Sequence, residues 1–475
     1  MDSSDTTAGT DRTADSDLSS DADGLKHGVI GTKHLVFFVV AAAAPLTVMA
    51  GFAPLAFSLG GQSAPVGYLA AGLVYLVFAV GFTAMSKYVT NAGAFYAYIT
   101  EGLGRTCGAG AALVAYVGYT LGQIGFCAAA GLFASTAADS ILGVDVPWGV
   151  CAVVIGLAVS VLAYRRVDIG ARVLAVLLVA EVGLLALLTA AILLRGAPDG
   201  LTVQGFDPGG WSLSGMGSLF VITFVVYVGF EQTAVYAEEA RDARRTVPRA
   251  TYIAVVVLAF TYTVVAWALL MGIGPNRLAA VLTGSPQTLV FDLNEHYLGS
   301  VMTDVLRVLI VTSFFAGVLA LHNAGSRYLY SLGRDGLVPR VLAHTSPRTA
   351  SPTTAAAVQG VLVVASLVGF AFSDLDPYTQ VVVWTNTPTL VAVLALQILT
   401  SVAVIRFFAR DHRGEKAWHR WMAPALSVAA LGGVLYLVCT QMDLLTGLGP
   451  WQNLLLTVPL LVAFVAGAAR GRVVR

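Results

Sequence analysis

Two carboxylates in this chain stand where a charge is hardest to keep. Glu231 follows Gly229 and Phe230 inside FVITFVVYVGFEQTAVY (220–236), and Glu181 lies within LAVLLVAEVGLLALLTA (174–190). An ionised carboxylate at the centre of a lipid-spanning helix costs about 2.5–3.5 kcal/mol on insertion scales, so each must be protonated or paired. No basic residue lies inside the run around Glu181. A carboxyl held in that balance can bind and release a proton or hold a cation. Two roles stay open for Glu231: proton carrier or sensor, or a protonated carboxyl that bonds a freed backbone group and fixes a helix break. Tyr116, Tyr119 and Gln123 recur at i, i+3 and i+7 on one helix face. Aromatics at that spacing serve packing more often than sites. Cys107, Cys127, Cys151 and Cys439 show no CxxC or metal spacing, and neither they nor the seven histidines form a nucleophile or metal cluster. His322 stands alone and reads as structural. The expected chemistry is the binding and release of a proton or cation: not an enzyme, with no metal, cofactor or nucleic-acid partner.

The elements that hold these groups are membrane helices. Of 475 residues, 57% are hydrophobic and 11% charged, against about 25% charged in soluble domains; the mean hydropathy is +0.79. A span takes about 20 apolar residues. Breaking the chain at Gly, Pro and charge clusters gives twelve apolar runs, near 34–58, 66–86, 106–136, 147–164, 168–194, 214–238, 250–273, 302–331, 353–372, 378–406, 421–441 and 448–469. An even count puts both termini on one side. Numbering the loops alternately places 24 of the 27 cations on that side, with Arg195 and Arg277 opposite and Arg307 inside the eighth run. Cationic loops stay inside, so both termini are expected in the cytoplasm. The segment 283–300 is half apolar and reads as an outer amphipathic stretch. Residues 1–33 carry seven aspartates among Ser, Thr, Ala and Gly, the composition of a disordered acidic tail. They lack the basic start, apolar stretch and cleavage site of a signal peptide.

Two runs are built to break. The first reads HLVFFVVAAAAPLTVMAGFAPLAFSLGG, with Pro45, Gly51 and Pro54 inside it. Proline removes a donor and clashes with the preceding turn. The sixth is interrupted at Tyr227-Val228-Gly229-Phe230-Glu231. Two broken helices five spans apart point to a transporter of inverted repeats with its site at the midplane. Half-helix N-termini offer N–H groups to a carboxylate, and unwound carbonyls accept bonds from an ammonium. Thr47, Val48, Met49, Ala50 and Gly51 are the candidate carboxylate end, and Val226, Tyr227, Val228, Gly229 and Phe230 the candidate amino end. Phe52 and Tyr227 can close over the side chain. Trp384, with Asn386 and Pro388, suggests a further irregularity lining the cavity.

Gly229-Phe230-Glu231 and AEEARDARRTVPRA (237–250) resemble the sixth-helix signature of the amino acid–polyamine–organocation superfamily, close to GFE…EE-x-x-x-P-x-R-x-x-P-R-A. NAGSRYLYSLGRDGLVPRVLAHTSPRTASPTTA (323–356) is similar to that family's eighth helix and following loop, and TNAGAFYAYITEGLG (90–104) to its entry into helix 3. Two departures stand out. VMAGF (48–52) keeps one glycine of the usual G-x-G-I-F, and Ala243 replaces a common proline. The resemblance implies an all-α polytopic LeuT-like fold with discontinuous helices 1 and 6. It implies two inverted repeats (34–195 and 214–407), peripheral helices 11–12 (421–470) and a short C-terminus (471–475). Glu181, nine residues past Arg172, falls where many members carry a lysine whose ammonium replaces a sodium ion. Thr312 and Ser313 fall where sodium-coupled relatives coordinate the ion, although such hydroxyls more often bond their own backbone.

The expectation is a permease of the cell membrane that moves amino acids by alternating access, coupled to protons through Glu181 or Glu231, with sodium as the alternative coupling ion. An exchanger, or an importer of a polyamine or ethanolamine, is the alternative; a transporter-derived sensor is disfavoured because the tail is too short for a sensing domain. The oligomeric state is open.

Overall fold

A helix satisfies its own backbone in lipid, and the few residues that cannot stay helical must be buried in protein. The computed structural model follows that rule; it describes residues 31–89, 93, 95–165, 171–207, 213–237, 240–345 and 352–473. The acidic stretch 1–30, residues 90–92 and 94 of the third block, Arg166, Glu238, Glu239, Arg348 and Arg475 lie outside the described residues. The regular elements are helices, and ten stretches among the described residues are long and apolar enough to cross a membrane. The chain is an all-helical, multi-pass membrane protein.

The first of those stretches, Thr32–Ser86, is 55 residues long. It contains α1 (Thr32–Ala42), α2 (Ala53–Gly60) and α3 (Ala64–Ser86). Pro45 disfavours the right-handed helical conformation at the residue before it, and Ala44 takes φ +45°. The chain therefore leaves the helix at Ala43–Ala44 and resumes as a π-helical turn over Thr47–Phe52. The expected sixth run is cut as well. It becomes α8 (Leu213–Val225), a chain of tight turns, and α9 (Gln232–Val235), so only Met216–Val225 registers as a short apolar helix.

Between these, α4 (Phe95–Leu103) is a separate short helix, turned into the 38-residue α5 (Arg105–Leu142) at Gly104, whose φ is +95°. Then come α6 (Trp148–Arg165) and α7 (Ala171–Arg195). After the second break, α10 (Ala243–Ile273) and the one-turn α11 (Leu278–Val281) lead to α12 (Leu289–Leu298). With ten residues and Leu289, Val290, Phe291, Leu293, Asn294 and Tyr297 buried, α12 is amphipathic and too short to cross. The remaining helices are α13 (Ser300–Arg334), α14 (Thr353–Ala371), α15 (Val383–Arg410), α16 (Ala423–Thr440), α17 (Met442–Thr446) and α18 (Pro450–Val473).

Packing brings the breaks to the core. α1 lies on α10 and α13, α2 lies on α8, and α7 lies on α10 and α13. α5 runs through the middle against α6, α13, α15 and α18. Small residues allow this approach: a Cβ on Gly72 would stand 2.4 Å from the Ala259 Cβ, and one on Gly118 2.8 Å from the Ala392 Cβ.

Candidate substrate and coupling site

Thr47, Val48, Met49, Ala50, Gly51 and Phe52 are all buried. The carbonyls loosened around the first break find tyrosines. Tyr262 donates its hydroxyl to the Ala43 carbonyl at 3.2 Å, and Tyr378 donates to the Gly51 carbonyl at 2.6 Å. Among the described residues the buried Thr47 hydroxyl has no hydrogen-bond partner. Phe52 packs on Phe126 and Phe314, with ring centroids 5.4 and 6.2 Å apart, and Phe133 stacks on Phe314 at 5.4 Å. Gly51 leaves room for that group, since a Cβ there would meet the Phe314 Cζ at 2.9 Å.

The second break spans Val226–Glu231. Amides reach back three residues, Tyr227 to Phe224 at 3.2 Å and Val228 to Val225 at 3.0 Å. Gly229 takes φ +120°, a conformation open to glycine and costly for other residues. Its N–H donates to Glu231 Oε2 at 2.9 Å, and the Tyr119 hydroxyl of α5 donates to Glu231 Oε1. The buried carboxyl thus ties the unwound backbone to the central helix. Phe230 is buried against Tyr75, centroids 5.1 Å apart, and Val228 is half-buried.

Glu181 closes a second junction. Ser313 on α13 donates its hydroxyl to Glu181 Oε2 at 2.8 Å, and the Leu46 amide, two residues past the first break, bonds the same carboxylate. Thr312 instead donates to the Leu309 carbonyl of its own helix at 2.9 Å. Neither Glu181 nor Glu231 has a Lys or Arg partner among the described residues.

Other sequence candidates have their polar atoms engaged within the protein. Tyr227 turns its hydroxyl to the Tyr68 carbonyl at 2.9 Å, and its ring lies among Tyr75 and Tyr262 at 5.2 and 5.3 Å. Trp384 donates its indole N–H to the Thr446 carbonyl at 3.0 Å, toward α17. The irregular turn of that region is π-helical Pro377–Val382, before Trp384. The Asn386 amide donates to the Val382 carbonyl at 2.8 Å, and Pro388 lies inside the continuous α15. The buried Tyr116 hydroxyl has no hydrogen-bond partner among the described residues. Gln123 joins His322 at 3.0 Å and accepts from Gln359 at 2.8 Å. Asp335 accepts from Tyr96 at 3.1 Å, while Arg245 pairs with Asp242 at 3.7 Å; among the described residues no ion pair joins Asp335 to the arginines after α9. Sequence reasoning missed Tyr262 and Tyr378. Their only signal is a phenol in an apolar run, and what each bonds lies 219 and 327 residues away.

Two interrupted helices with a carboxyl at each interruption, inside a multi-pass bundle, define a membrane transporter. The chain belongs to the amino acid permease family, whose profile matches residues 30–465. It is 26% identical over 383 residues to the branched-chain amino acid permease BcaP of Lactococcus lactis, covering 76% of this chain and 79% of that protein. It is 24% identical over 254 residues to the BcaP of Bacillus subtilis, covering 54% of this chain and 50% of that one. To human cationic amino acid transporter 4 it is 28% identical over 205 residues, 43% of this chain and 29% of the relative. Family members are transporters, so the chain is not an enzyme.

Proposed function

We propose that this permease moves an apolar amino acid across the plasma membrane by alternating access, coupled to a proton carried by Glu181. The observation that carries the reading is the junction of Glu181, Ser313 and the Leu46 amide, a buried carboxyl that touches three elements and lacks a cationic partner among the described residues. Protonation there changes a charge at the place where α1 is broken, so proton binding and helix movement share one contact. Thr312 bonds its own helix, which favours a proton over a multidentate sodium site. The substrate's carboxylate and ammonium are assigned to the backbone at Thr47–Gly51 and Val226–Phe230. The phenylalanines beside Gly51 and the prior engagement of both carboxyls favour an apolar side chain over a cationic one. The name of the Lactococcus relative points the same way. In this reading the chain crosses the bilayer twelve times, as two inverted five-helix repeats and two peripheral helices, with both termini in the cytoplasm.

The test is uptake of a labelled amino acid mixture into liposomes holding the purified protein, with and without an inward proton gradient. Gradient-driven accumulation of leucine, isoleucine or valine, lost in Glu181→Gln while exchange persists, is the expected result. Uptake that ignores the gradient and Glu181→Gln but needs internal substrate makes the protein an exchanger and refutes the coupling. Failure to move any amino acid turns the search to amines.

A further inference from the structure

Gln441 stands between α16 and α17, yet it touches the sixth run, 224 residues away. Its side-chain Oε1 accepts the Gly217 N–H of α8 at 3.0 Å, and its carbonyl lies 3.5 Å from the Ser218 hydroxyl. The approach is close because position 217 has no side chain: a Cβ there would stand 2.6 Å from both the Leu437 carbonyl oxygen and Gln441 Oε1. At the other end of α17, the Thr446 carbonyl accepts the Trp384 indole N–H at 3.0 Å. The buried Thr446 hydroxyl donates to Asn453 Oδ1 at 2.6 Å, and Asn453 Nδ2 donates to the Leu448 carbonyl at 3.0 Å, which fixes the corner to α18. The stretch 441–446 therefore joins the beginning of α8 to the beginning of α15.

A helix is stiff, so what holds the beginning of α8 sets where its end lies. From Gly217 to Val226, where the second break opens, is about 14 Å at 1.5 Å per residue. At that far end α3 supplies the ties: Tyr75 donates to the Phe224 carbonyl at 3.1 Å, and Tyr227 donates to the Tyr68 carbonyl at 2.9 Å. The near end is tied by Gln441. In lipid such ties matter more than apolar area, because an apolar helix face is as well placed against lipid tails as against a neighbouring helix. Close contacts at small residues and hydrogen bonds between helices fix register instead. Gly217 and Gln441 supply one of each on a single turn of α8.

We infer that Gln441 is a positioning residue for the amino end of the substrate site. With Thr446 it clamps α8 to α15 and so sets where the carbonyls of Val226–Phe230 stand. The helices α16–α18 thereby act on the site without touching it. Trp384 serves the site in the same indirect way, its indole N–H holding the other end of the clamp. The inference rests on the reading above that the unwound backbone at Val226–Phe230 receives the ammonium, and it adds what holds that backbone in place. Coupling to protons is not part of it, so exchange of substrate is the transport mode that tests it.

The experiment uses the full chain in liposomes and measures exchange of internal for external labelled leucine, beside hydrogen–deuterium exchange of peptides spanning 216–231. Gln441→Leu keeps the bulk and loses the acceptor. It is expected to raise KM about tenfold, the worth of one misplaced hydrogen bond to a charged group, with the maximal rate per folded protein little changed. Amide exchange at 216–231 is expected to quicken by up to about tenfold, the factor set by one lost hydrogen bond. Gln441→Glu keeps an oxygen for the Gly217 N–H and is expected to hold both values near those of the unaltered protein. Trp384→Phe removes the N–H and keeps a ring; it is expected to raise KM as well, and the double variant to raise it by less than the product of the two single effects, as residues of one clamp do. Unchanged amide exchange in Gln441→Leu overturns the clamp. A lower maximal rate at unchanged KM also overturns it, as does failure of Gln441→Glu to restore KM, and either makes Gln441 a residue of packing alone. If the unaltered protein exchanges no leucine, the substrate reading fails and amide exchange alone decides the clamp.

Discussion

Replacing Glu231 by glutamine and by alanine separates its two candidate roles. Its carboxyl accepts two donors, the Tyr119 hydroxyl at one oxygen and the Gly229 N–H at the other. Glutamine has one accepting oxygen and an NH₂ that only donates. The Gly229 N–H can only donate, so it takes the oxygen. The Tyr119 hydroxyl can accept as well as donate, so it turns to receive the NH₂. Glu231→Gln therefore keeps a contact to each partner but leaves the Tyr119 hydroxyl hydrogen without its acceptor, and should cost about 1–3 kcal/mol. Alanine leaves two buried donors empty at about 1–3 kcal/mol each, so Glu231→Ala should cost about 2–6 kcal/mol, with a void added. Thermal unfolding of the purified protein in detergent reads this ordering. The reasoning fails if glutamine destabilises as much as alanine, or if alanine costs nothing. Driven uptake then separates the roles: a folded Glu231→Gln that has lost gradient-driven accumulation but kept exchange marks Glu231 as a proton carrier. One that keeps both confines Glu231 to holding the break.

Three further outcomes are expected. Gly229→Ala has space, the nearest atom to its Cβ being Gln232 Nε2 at 3.8 Å, but φ +120° is wrong for alanine; about 1–3 kcal/mol of backbone strain should appear as a lower unfolding temperature. Gly72→Ala would put its Cβ 2.4 Å from the Ala259 Cβ and push α3 from α10, costing about 1–3 kcal/mol, whereas Gly183→Ala on α7 meets nothing within 4 Å and should be neutral or stabilising; equal melting of the two variants would contradict the packing. Lys87→Ala breaks the 2.7 Å pair with Glu415 at a partly exposed site, and should cost under about 1 kcal/mol, less in high salt, as unfolding at two ionic strengths would show.

That the chain is a helical, multi-pass membrane protein was legible in the sequence because hydropathy is a local quantity, summed along one segment; ten stretches among the described residues are long and apolar enough to cross. The break of the sixth run was legible because Gly229 is the residue that tolerates φ +120°. The first break was half legible: Pro45 announces it, but the residue that leaves the helix is Ala44, one place before it, and Thr47–Phe52 stays wound as a π-turn. That Glu181 and Glu231 need help inside lipid also follows from sequence, since a buried charge demands a partner wherever the chain goes. Which partner answers was left to the tertiary structure. Tyr119 reaches Glu231 from 112 residues away and Ser313 reaches Glu181 from 132. Thr312, next to Ser313, bonds its own backbone because it points to a different side of α13. Tyr227 and Trp384 carry the right chemistry for a site wall, yet packing turned their polar atoms to Tyr68 and Thr446. Apolar pattern determines that a helix crosses the membrane; rotation about its axis and the neighbour it meets depend on close packing between helices, and those decide which side chains face one another.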